Sequence, residues 1–204
     1  MVRPVVRLTG MSRRNVRSVD PLSRPRLTVV SGGATDDSTG AAEHADVTDA
    51  LATTLIDAFG DRVLFLFHRR IAGQTGDLPV IAVTATGVHL IEPRAYPGKK
   101  VRACRDGSTF VIDGVRHTRI AEQMQAHVEA LQAAVSIGPL PDVTVHSHYC
   151  FVEGDLPALR TLEVGGVRVL SVRGTLRRLR ARGPLDERQV ETLHRDLSRR
   201  LVRT

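Results

Sequence analysis

Residues 79–83 and 88–91 are two apolar runs separated only by Thr84-Ala85-Thr86-Gly87. Parallel pairing needs a crossover of a dozen or more residues, so a link this short forces the two runs together as an antiparallel hairpin. Residues 63–67 form a further short apolar strand ahead of it. Residues 101–103 and 109–112 flank Arg105-Asp106-Gly107, a second hairpin turn, and Asp113-Gly114 closes the strand that follows. The middle of the chain therefore reads as a meander.

Helical periodicity brackets the meander. Val47, Leu51, Leu55 and Phe59 recur every four residues, with Asp46 or Thr48 at the capping position, and predict a helix ending near Gly60. Ile120, Met124, His127, Val128 and Leu131 mark one face of a second helix over residues 120–135, closed by Gly138-Pro139. Residues 143–152 alternate as a long strand (Val143, Val145, Ser147, Tyr149, Phe151) placed inside the sheet, which makes the second helix a crossover. A strand pair around Gly165-Gly166 spans residues 164–170, and residues 176–180 and 186–202 are helical, with Leu193, Leu197 and Leu201 as the buried stripe of the last helix. The order helix, meander, helix, strand, helical tail predicts a single α/β domain of about 160 residues.

Aromatic residues make up only 3% of the chain, with no Trp, so the core has to be built from Val, Leu, Ile and Ala. The formal charge of +7 is unevenly spread: residues 1–27 hold seven Arg and one Asp, residues 173–204 hold ten Arg and four acids, and the stretch between holds twelve basic and seventeen acidic residues. Residues 1–40 mix Arg, Pro, Ser and Gly and predict a disordered basic arm, followed by a folded core over residues 41–172 and basic C-terminal helices over residues 173–204 packed on that core. The run Arg177-Arg178-Leu179-Arg180-Ala181-Arg182 reads as a solvated helix face or as a guide for a phosphate backbone. No run of about 18 apolar residues occurs, and the first 30 residues lack the apolar stretch of a leader, so the expectation is a cytoplasmic protein without a membrane span. Cys104 and Cys150 are too few for a disulfide framework or a four-cysteine zinc site. His146 and His148 share one strand face but have no third ligand in view, so they are read as solvent or edge residues rather than a metal pair.

Residues 64–100 contain Leu-Phe-Leu-Phe-His-Arg-Arg-Ile-Ala-Gly, then Asp-Leu-Pro-Val-Ile-Ala-Val, then Gly-Val-His-Leu-Ile-Glu-Pro-Arg-Ala-Tyr-Pro-Gly-Lys. This stretch resembles the nuclease-related domain (NERD) family of the PD-(D/E)xK nuclease-like superfamily. The likeness continues through the helix at 120–135, the strand at 146–151 with Val152-Glu153-Gly154-Asp155 behind it, and Gly183-Pro184-Leu185-Asp186, so that it covers residues 42–204. It implies a restriction-endonuclease-like αβββαβ core with a mixed central sheet and a C-terminal helical extension.

In that superfamily a helix supplies an acid, the second core strand an Asp, and the third strand an acid, a spacer and a Lys. Acid and Lys two positions apart on a strand share a face, so the carboxylate holds Mg²⁺ while the amine reaches the attacking water. Carried over, the metal-binding Asp falls at Pro79, the acid of the third strand is kept as Glu92, and the Lys is replaced by Arg94, with Tyr96 and Gly98 retained. Asp49 or Asp46 answers to the helix acid, a Gln of the crossover helix falls at His127, and Asp77 is the one nearby acid able to stand in for Pro79. The resemblance thus names Glu92, Arg94, Asp49 and His127 as the catalytic set, Glu92, Asp77 and Asp49 as metal ligands, and Arg94, Lys99 and Lys100 as phosphate contacts. Two substitutions strike at the centre: Pro offers no oxygen to Mg²⁺, and a guanidinium with a pKa above about 12 binds phosphate but does not relay protons. The expectation is a degenerate member that binds nucleic acid, DNA ahead of RNA. The alternatives are an active Mg²⁺-dependent nuclease rescued by Asp77, or a protein-interaction module using its basic ends.

Overall fold

The computed structural model describes residues 37–72, 76–156 and 162–204, with side chains from residue 44 onward. The predicted basic arm lies outside the described residues except for residues 37–40, and these are helical. Helix α1 (Asp37–Phe59) buries Val47, Leu51, Leu55 and Phe59, the four positions of the predicted stripe. It starts at Asp37 rather than at Asp46, because Ala41, Ala42, Glu43 and Ala45 favour helix by propensity while supplying no apolar period for the eye to follow.

Strands β1 (Leu64–Ile71), β2 (Leu78–Thr84) and β3 (Gly87–Ala103) form the predicted antiparallel meander, Phe67 lying opposite Val80 and Val83 opposite Val88. All of β2 is buried, as a strand covered on both faces must be. Gly87, at φ +122°, opens β3 where a Cβ would lie 2.4 Å from the carbonyl oxygen of Thr144, the same oxygen that accepts the Val88 N–H at 3.1 Å. Gly87→Ala is therefore expected to destabilise the fold by about 2 kcal/mol or more, read as a drop in thermal midpoint. An unchanged midpoint would show that the strands separate there without cost.

β3 is one long strand where the sequence shows two apolar runs. Its ladder shifts register past Arg94, and its far end pairs with β4 (Phe110–Ile112), which pairs in turn with β5 (Val115–His117). Helix α2 (Thr118–Ser136) carries the chain to β6 (Val145–Asp155), parallel to β3. β7 (Leu162–Val164) and β8 (Val167–Ser171) make the expected hairpin, with β8 parallel to β6. Then come α3 (Val172–Leu179) and α4 (Glu187–Arg200), the latter opened by a capping box between Asp186 and Gln189. The last helix stops short of residue 202: Leu201–Arg203 forms β9 against the outer edge of β1, which gives both backbones hydrogen-bond partners.

The strands run β7-β8-β6-β3-β2-β1-β9 in a mixed, open sheet. Ile120, Met124 and Leu131 of α2 and Leu193 and Leu197 of α4 share a core on one face, while Leu51 and Leu55 of α1 and Leu179 of α3 share a second core on the other. The chain is thus an α/β sandwich whose core is mainly aliphatic, as the composition requires. Among the described residues, no helix is long and apolar enough to cross a membrane.

Candidate functional site

The meander and the two helices beside it leave a cleft of about 550 Å³ at one end of the sheet. β3 contributes Glu92 and Arg94 to it, two positions apart and hence on one strand face. β2 contributes Pro79, with Asp77 just ahead of the strand. α1 brings His44 and Thr48, one turn apart, and α2 brings Arg119, Gln123 and His127, a stripe at four-residue spacing. β1 adds His68, which the register sets opposite Pro79 and which has φ +48°. A left-handed histidine within a strand is costly and occurs where surrounding contacts impose it. Here Pro79 has no N–H to offer its neighbour, the His68 carbonyl accepts from Thr204 N–H at 3.0 Å, and Asp49 Oδ1 holds His68 Nε2 at 2.8 Å.

Glu92 is the floor of the cleft, with its side chain 5% exposed. Arg94 Nη2 lies 2.9 Å from Glu92 Oε1, His44 Nε2 lies 3.3 Å from the same oxygen, and His127 Nδ1 is 3.9 Å from Oε2. Burial pushes the Glu92 carboxyl up to about 7, against the opposing pull of Arg94. His44 is pushed down to about 4 by burial first and then by Arg94, His127 and His68, while His127 is lowered by burial and Arg94 with Asp77 opposing. Both imidazoles are consequently neutral at pH 7, and Arg94 is the counter-ion of Glu92. Among the described residues, three polar atoms here are buried without a partner: Glu92 Oε2, Arg94 Nε and His127 Nδ1. Buried polar atoms left unsatisfied mark stored strain, a chemical role or a site that a ligand completes.

These donors do not suit Mg²⁺. That ion demands near-octahedral oxygen at about 2.0–2.1 Å, whereas Pro79 supplies none, a guanidinium and an imidazole already crowd Glu92 Oε1, and His127 lies against Oε2, so that Asp77 is the one further carboxylate among the described lining residues. Among the described residues, no group of three His, Cys, Asp or Glu is placed to hold a metal ion.

The structure brings together four of the residues expected from sequence: Glu92, Arg94, Asp77 and His127. It does not bring Asp49 to Glu92. Asp49 is exposed and bonds His68, and the α1 side chain beside Glu92 is His44, which lies before the point where the sequence begins to show a helix. Lys99 and Lys100 are exposed and do not line the cleft, because β3 has bent by then and Lys100 N–H donates to Asp113 Oδ1 at 2.9 Å. Glu92 forms a buried pair with Arg94. His44, His68, Arg119 and Gln123 were missed. The spacing of Arg119 and Gln123 from His127 was the one signal that pointed to any of them.

His146 and His148 need a second correction. His148 is fully buried on interior strand β6, and the parallel register sets His89 of β3 directly beside His146. The His89 ring lies 4.7 Å from that of His146 and 6.2 Å from that of His148. Thr86 Oγ1 bonds His89 Nε2 at 2.7 Å, and Arg178 Nη2 of α3 lies 3.3 Å from His146 Nδ1. Both ring nitrogens of His148 are buried with no partner among the described residues. Burial, then the neighbouring imidazoles and Arg178, lower His89 and His148 to about 3.

No protein-family model matches the chain, and no curated protein and no solved structure matches it.

Proposed function

We propose that this chain is a NERD-like protein with a restriction-endonuclease-like core, in which metal-dependent phosphodiester cleavage has given way to nucleic-acid binding in the cleft, DNA ahead of RNA. The carrying observation is the buried Glu92–Arg94 pair at 2.9 Å, where the resemblance sets a metal-binding carboxylate and a proton-relaying amine. The element order supports the core assignment: a helix, three antiparallel strands, a crossover helix and a strand parallel to the third. Arg94 keeps the positive charge and suits phosphate, while Pro79 leaves the neighbouring strand with no ligand to give.

The test is incubation with single- and double-stranded DNA and RNA in Mg²⁺ or Mn²⁺. The expected result is no metal-stimulated cleavage, together with oligonucleotide binding that weakens steeply with salt, by a log–log slope near −0.7 to −0.9 per phosphate contact. Cleavage that disappears in Glu92→Ala would overturn the reading. One observation favours an active nuclease instead, namely that Asp77 lines the same cleft as Glu92. That reading requires divalent uptake, and a calorimetric titration with Mn²⁺ showing no binding heat removes it.

A further inference from the structure

We propose that the cleft takes a phosphodiester of a single nucleic-acid strand directly on Arg94 and Arg119, without a divalent ion, Arg94 serving as the fixed cation of the site. The inference rests on the nucleic-acid reading above and names which part of the nucleic acid enters and what receives it. Arg94 is 17% exposed and Glu92 lies beneath it, so a ligand has to descend into the cleft to meet the guanidinium. A duplex holds its phosphates on a rigid outer surface and cannot follow them down, whereas an unpaired strand can splay one linkage inward. The volume of about 550 Å³ is that of a pocket enclosing a drug-sized molecule, which corresponds to roughly one or two nucleotides.

The walls match such an occupant. Arg94 keeps 17% of its side chain open to the cleft, and its Nε is buried without a hydrogen-bond partner among the described residues. Arg119 and Gln123, both exposed at the rim, add a guanidinium and an amide from the first turns of α2. Among the described residues, the imidazoles of His44, His68 and His127 are the aromatic rings that line the cleft, and bases of any sequence stack on such rings. A divalent ion has no role in this arrangement, because the guanidinium groups of Arg94 and Arg119 supply the positive charge that faces the phosphate.

The experiment is fluorescence anisotropy in EDTA with a labelled single strand of about 12 nucleotides and with its duplex. The single strand is expected to bind at least tenfold more tightly, and added Mg²⁺ should change nothing beyond its effect on ionic strength. Arg94→Ala and Arg119→Ala should each weaken binding about tenfold. Arg119 is exposed, so its variant keeps the fold, and thermal melts of both verify this. Binding that requires Mg²⁺ or Mn²⁺, a duplex bound as tightly as the strand, or wild-type affinity in both variants would each overturn the inference while leaving the nucleic-acid reading intact. Failure of both probes to bind at any salt concentration removes the two together.

Discussion

His148→Leu is expected to raise the stability of the protein, and to raise it far more at pH 5 than at pH 8. In the folded chain His148 and His89 are lowered to about 3 and His44 to about 4, against 6.5 for an ordinary imidazole. Between these values the unfolded chain is protonated and the folded chain is not. The stabilisation is therefore fully present above about pH 6.5 and is lost as the pH falls toward 4 and below. A shift of this size is worth on the order of 5 kcal/mol for each of the two most buried rings, a large fraction of the stability of a typical domain. Among the described residues, the titratable and charged groups acting on His148 are His89, His146 and the Arg178 guanidinium, and none is an acid that could pair with an imidazolium. Leu fills a similar volume, removes the titration, and relieves two nitrogens that lack hydrogen bonds even at neutral pH, each a cost of about 1–3 kcal/mol. Thermal melts of wild type and variant from pH 4.5 to 8 decide the matter. Parallel pH profiles, or a variant less stable at pH 5, would sink the argument.

That histidine cluster also shows where sequence reasoning reaches its limit. The strand carrying His146 and His148 was legible, because Val143, Val145, Tyr149 and Phe151 alternate, but alternation identifies only the face that packs on α2. The opposite face also turned out to be covered, by α1 and α3, and this follows from the pairing of β6 between β3 and β8, which no local pattern encodes. The hairpins were legible for a simpler reason: a short link between apolar runs leaves the backbone one way to pair. In the cleft, Glu92, Arg94, Asp77 and His127 could be named only through the resemblance, whose motifs run from just ahead of β2 into β3 and on to the periodic helix α2. His44 and His68 could not. The first lies in an alanine-rich turn without an apolar period, and the second owes its place to a backbone conformation that only the finished ladder, with Pro79 across from it, imposes.

Glu92→Gln should make the protein more stable at pH 8 and at the same time a better binder of oligonucleotides. The folded carboxyl ionises only near pH 7, whereas the unfolded one does so near its ordinary 4.5. Stability from this group is thus fully present below about pH 4.5 and is lost as the pH rises through 7, a swing of roughly 3 kcal/mol that Gln abolishes. Part of the gain is surrendered because Arg94 loses its partner at 2.9 Å, leaving an expected net stabilisation of about 1–2 kcal/mol at pH 8 and almost none at pH 5. Loss of that partner carries the functional consequence. In the wild type an ionised Glu92 competes with phosphate for Arg94, so affinity for a single strand should tighten as the pH drops from 8 to 6 and the carboxyl takes up its proton. His44, pushed down to about 4, remains neutral across that window, and burial and Arg94 lower His127 in the same direction. In Glu92→Gln the competition is gone at every pH, so binding at pH 8 should strengthen about tenfold and its pH dependence between 6 and 8 should flatten. Anisotropy titrations at pH 6, 7 and 8 measure both effects. A variant that binds more weakly, or that keeps the wild-type slope, would mean that Arg94 does not receive the phosphate.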